Sequence, residues 1–119
     1  MDKTKRAALA KLVGERALAV AQIEAEAEQK IHGAKDQDAY ERLMRGKAEL
    51  LAELAADAEH LLDGATDVEA QAIRAFSMSA YQSLQVGSVF FMSALLYPEE
   101  HKKGEPNELE ILAAALRQG

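Results

Sequence analysis

Ala75-Phe76-Ser77-Met78-Ser79-Ala80-Tyr81-Gln82-Ser83-Leu84-Gln85-Val86-Gly87-Ser88-Val89-Phe90-Phe91-Met92-Ser93-Ala94-Leu95-Leu96-Tyr97-Pro98 contains no charged side chain and lies between Arg74 and Glu99. Its length would permit a membrane span, which takes about 20 predominantly apolar residues. Its chemistry argues against one, because Gln82 and Gln85 sit in the middle among five serines and a buried amide without a partner is costly in hydrocarbon. The stretch is expected instead to form most of the third helix of an all-α protein, over about residues 67–97. In its second half Val86, Val89, Phe90, Phe91, Met92, Leu95 and Leu96 would point in nearly every direction around such a helix, the pattern of a helix surrounded by protein.

The two preceding helices can cover only about half of that circumference, each by one apolar stripe. The rest predicts a partner surface. Ala75, Ser79, Ser83 and Gly87 recur at intervals of four and would make a ridge of small residues against which another helix can lie closely. With Phe90 and Phe91 they form the expected interface of a homodimer. A pocket beside Met78, Gln82, Gln85, Val89 and Met92 is the alternative use of the same helix, since apolar walls with a few polar groups suit a small molecule.

Working outward, Leu9, Leu12, Val13, Val20, Ile23, Ala27 and Ile31 recur every three or four residues and predict a first helix over about 4–32, with Gly33 as a left-handed C-cap. Leu18 falls on the opposite side. A second helix is expected over about 37–63, capped by Asp36 or Asp38 and carrying Leu43, Met44, Leu50, Leu51, Leu54, Leu61 and Leu62. The short connection makes these helices antiparallel, so residues whose numbers sum to about 70 should face each other. Thr66 with Glu69, and Asn107 with Glu110, have the spacing of capping boxes at the start of the third helix and of a short fourth one over about 107–117. The reading is an antiparallel helical bundle of one domain, residues 1–119, completed by dimerisation.

Composition excludes several functions. The chain of 119 residues has no cysteine, which removes disulfides and thiolate zinc sites and accords with a reducing cytoplasm. Met1-Asp2-Lys3-Thr4-Lys5-Arg6 leads into no apolar signal core, so a cytoplasmic location is expected. The net charge of −6, with no tryptophan, speaks against nucleic acid as a partner. Charge is also uneven: residues 1–35 hold seven Lys/Arg and five Asp/Glu, whereas residues 36–74 hold four and ten.

Few residues carry a chemical signal. Glu49, Glu53, Asp57 and His60 form a file on the second helix, with the carboxylate-x-x-His spacing of helical metal sites, but a solvated face laced by i,i+4 pairs explains such a file. Glu24, Glu28 and His32 form a similar file on the first helix. The hairpin rule separates His32 from His60 by most of a helix, on the order of 30 Å. No metal and no cofactor are expected. His101 reads as an exposed loop residue. Arg16 and Lys47 fall on apolar faces, from which long stems snorkel to water; Lys47 lies opposite Glu24 by the summing rule, which makes a salt bridge the specific alternative.

Lys11-Leu12-Val13-Gly14-Glu15, and later Glu53-Leu54-Ala55-Ala56-Asp57 with His60-Leu61-Leu62, resemble fragments of the helical phosphoribosyl-ATP and MazG-type nucleotide pyrophosphohydrolases. The resemblance covers less than half of the chain. It implies a magnesium-dependent enzyme with Glu49, Glu53 and Asp57 as ligands. The sequence departs from that pattern where Arg16 and Leu18 replace further acids, in the Glu53-to-Asp57 spacing, and in the uncharged stretch. With no nucleophile beside a base and no phosphate loop, the leading reading is a non-enzymatic protein that works by self-association or by binding another protein.

Overall fold

The computed structural model describes residues 1–118 and is all-helical, with no strand among the described residues. Six α-helices follow one another: α1 (Lys3–Glu28), α2 (Gln37–Asp57), α3 (Glu59–Leu62), α4 (Val68–Val86), α5 (Val89–Ala94) and α6 (Glu108–Gln118). At 1.5 Å per residue α1 alone spans about 39 Å, which sets the longest dimension of the molecule, 47 Å against 29 and 23 Å. No helix among the described residues is long and apolar enough to cross a membrane.

The apolar periods decide what each helix buries. Leu9, Val13 and Val20 of α1 meet Leu51 and Leu54 of α2, Ile73 of α4, and Leu109, Leu112 and Leu116 of α6 in one core. A smaller core of Ala27, Met44, Ala48 and Met92 lies toward the α1–α2 turn. Between α1 and α2 the summing rule holds: Lys47 pairs with Glu24, the alternative to snorkelling, and Arg16, for which no partner was expected, reaches the Leu50 carbonyl and Asp57. Arg6 Nη2 donates to the Ala115 carbonyl near the end of α6 at 2.9 Å, fastening that helix to the first turns of α1.

The connection between α1 and α2 differs from the glycine cap expected at Gly33. A π-helical turn, Gln29–Gly33, widens the end of α1, with the Ala34 amide bonding the Gln29 carbonyl five residues back. Lys35, not Gly33, takes the left-handed conformation, φ 54°. Asp36 then caps α2 by accepting the Ala39 amide at 3.0 Å.

The second and third helices are both shorter than the sequence predicts. The second is interrupted at Ala58, leaving α3 as a single turn; the Leu62 carbonyl at its end and the Ala65 carbonyl in the loop that follows accept from Arg74. The Thr66 capping box does not form. The helix starts one residue later, behind Asp67; the Thr66 carbonyl instead accepts from the Gln71 side chain, and Glu69 turns to Arg6. The third helix ends at Val86. Gly87, φ 73°, takes the left-handed C-cap conformation and donates its amide to the Ser83 and Leu84 carbonyls, and the Ser88 hydroxyl accepts the Phe91 amide to begin α5. The Asn107–Glu110 box forms in both directions, at 2.8 and 2.9 Å.

Candidate functional site

Breaking the uncharged stretch at Gly87 exposes its apolar residues on either side of the break. Helical spacing puts Met78, Tyr81, Gln82, Gln85 and Val86 on one side of α4, opposite Ala70, Ile73, Ser77, Ala80 and Ser83, which are buried. Met78, Tyr81 and Val86 are 59, 54 and 68 % exposed, and Phe90 and Phe91 of α5 are 74 and 53 % exposed. The two phenylalanine rings meet edge to face at 5.9 Å. Between α4 and α5 lies a cleft of about 580 Å³ whose walls include Leu51, Phe76, Ser79, Gln82, Val86, Phe91 and Leu95. Large apolar side chains grouped around a cleft mark a binding surface more often than an inert one.

The interface and pocket residues read from the sequence are redistributed on this surface. Ala75, Ser79, Phe90 and Phe91 are exposed, but Ser83 is buried and bonds the Ala80 carbonyl, and Gly87 has left the helix. The small-residue ridge is therefore interrupted halfway. Of Met78, Gln82, Gln85, Val89 and Met92, Gln82 lines the cleft, Gln85 bonds the Tyr81 hydroxyl at 3.2 Å, and Met92 is fully buried in the smaller core. They do not share one pocket.

Behind α5 the chain holds a buried polar cluster. Lys47 does not snorkel: its side chain is 0 % exposed, and its Nζ lies 3.0 Å from Glu24 Oε2, 3.0 Å from the Ser93 carbonyl and 5.0 Å from the Tyr97 ring centroid. Tyr97 donates its hydroxyl to the other oxygen of Glu24 at 2.7 Å. The α1–α2 hairpin supplies the ion pair, and the segment after α5 closes over it. His101 is packed edge-on against the Tyr97 ring at 4.8 Å, with a ring nitrogen 2.9 Å from the Glu105 carbonyl, so it is half-buried and not the free loop residue expected.

Burial pushes the Lys47 ammonium below the usual lysine range, with Glu24 opposing, and burial together with the bond to Glu24 pushes Tyr97 up to about 12. The signs differ. Tyr97 is protonated in the folded chain where the unfolded phenol, near 10, has ionised, so its contribution is intact below pH 10 and is lost between pH 10 and about 12. Lys47 acts oppositely, adding stability as the pH rises from its lowered folded value to 10.5. Tyr97→Phe is expected to remove an alkaline loss of about 1–2 kcal/mol, the two-unit shift discounted for partial exposure. Urea midpoints measured from pH 9 to 12 check it, and an unchanged slope above pH 10 refutes the assignment.

The acidic residues do not converge. Glu49, Glu53, Asp57 and His60 are all exposed, Asp57 is ion-paired with Arg16, and His60 lies on α3 beyond the break at Ala58. No group of three or more acidic or histidine side chains stands together as metal ligands among the described residues. Comparison with known protein families, curated proteins and solved structures finds no match for this chain.

Proposed function

We propose that this chain is a helical self-association protein, a single domain whose bundle is completed by a second copy docking on the α4–α5 face. The observation that carries this reading is the exposure of Val86, Phe90 and Phe91 around the Gly87 break. Two arguments favour a second copy over an unlike partner. The stretch from Ala75 to Tyr97 has no charge and Glu108 is the one charged residue lining the cleft, so two chains of net charge −6 can meet there with few like charges opposed. The face also carries both a projecting ring, Phe90, and a cleft beside it, and a twofold interface needs each half on the same surface.

Sedimentation velocity over a concentration series tests the reading. Dimer is expected at about 10 μM, and the double substitution Phe90→Glu, Phe91→Glu weakens association by about 100-fold or more, because aromatic anchors dominate interfaces. The helical circular dichroism should not change, since both rings are exposed. A wild-type chain that stays monomeric at that concentration, or a double variant that still dimerises, overturns the proposal.

A further inference from the structure

α1 and the last turn of α6 flank a second, open cleft of about 760 Å³, larger than the one between α4 and α5 and sharing no lining residue with it. Its floor is apolar, built from Ala7, Ala10 and Leu116, and Leu18, 62 % exposed, stands at one end. Its rim is cationic: Lys3, Arg6, Lys11 and Arg117 line it against one acid, Glu15, in a chain whose net charge is −6. Helical spacing produces the arrangement, because positions 3, 6, 7, 10, 11, 14 and 18 fall on one side of α1.

Two details fix the positive charge there. Arg6 is held in place by Glu69 at 3.0 Å, which shares its charge, and by the Ala115 carbonyl, while its Nε–H is buried without an acceptor. Arg117 lies across Gly14: a Cβ at that position would sit 3.8 Å from Arg117 Nη1, so the absent side chain leaves the groove open beneath the guanidinium.

We infer that the α1–α6 cleft binds an anionic amphiphile, a single acyl chain ending in a carboxylate, with the tail along Ala7, Ala10 and Leu116 and the head among Lys11, Arg117 and Arg6. A cleft of this size suits a small molecule. The combination of an apolar floor with a cationic rim selects the class: a neutral chain would leave the cations unused, and a bare anion would leave the floor wet.

Isothermal titration of the full chain with dodecanoate, below its micelle concentration, tests the inference. Saturable one-to-one binding is expected, about tenfold or more weaker for the pair Lys11→Glu, Arg117→Glu and separately for Gly14→Leu, which fills the groove without changing charge. Phe90→Glu, Phe91→Glu should bind dodecanoate as the wild type does, which separates this site from the α4–α5 face and from the fate of the dimer. Equal affinity for dodecyltrimethylammonium, or undiminished affinity in the Lys11 and Arg117 pair, overturns the proposal. So does binding to anionic phospholipid vesicles without binding to free dodecanoate, which would make the cleft a membrane-surface contact.

Discussion

Lys47→Ala is expected to lower the stability of the fold by about 3–5 kcal/mol, the cost of removing one partner from a buried ion pair. Lys47 is 0 % exposed, and its ammonium satisfies Glu24 and the Ser93 carbonyl at once. Alanine leaves the carboxylate with Tyr97 as its remaining partner, strands the carbonyl, and empties the space of the lysine stem. At roughly 4 °C per kcal/mol for a chain of this size, the melting temperature should fall by more than about 10 °C. Lys47→Met refills the space and should cost less. Combining it with Glu24→Gln should recover part of the loss, because an apolar residue opposite an uncharged one no longer confines a lone charge. Urea denaturation of the four chains measures this directly, and a loss below about 1 kcal/mol for Lys47→Ala would show that the cluster is not a structural centre.

Ser77→Val should cost about 2–6 kcal/mol, from two backbone groups left without partners at about 1–3 kcal/mol each. The Ser77 hydroxyl accepts the Ala55 amide at 2.9 Å and donates to the Leu51 carbonyl at 2.8 Å. Those are the donor and acceptor of one i→i−4 pair, so α4 inserts a side chain into the hydrogen-bond ladder of α2. Valine keeps the volume but can do neither. Ser77→Ala should cost less, because α2 can then close the pair directly. Thermal unfolding of both variants distinguishes the cases; a valine variant within about 0.5 kcal/mol of the wild type would mean that the insertion is incidental.

Legibility followed the range of the interactions. The Asn107–Glu110 box was readable because capping is decided within four residues, and it formed in both directions. Thr66–Glu69 has a similar spacing and did not form, because Arg6, 63 residues away, offers Glu69 a charged partner at 3.0 Å. A local signal for the break at Gly87 was present: glycine followed by serine is a C-cap followed by an N-cap. It is easily passed over when the glycine also fits a run of small residues spaced four apart.

The sequence by itself determined the all-helical class and the place of the α1–α2 hairpin, and it offered the pairing of Lys47 with Glu24 as an alternative to snorkelling, because apolar period and loop length fix which helical faces meet. Tertiary structure alone decided that Lys47 is sealed from water by Ser93 and Tyr97, that Ser77 enters the ladder of α2, and that α6 makes a cleft with α1. The physical reason is the same in each case. A helix carries its period in its own residues, whereas burial of a polar group depends on which distant segment covers it.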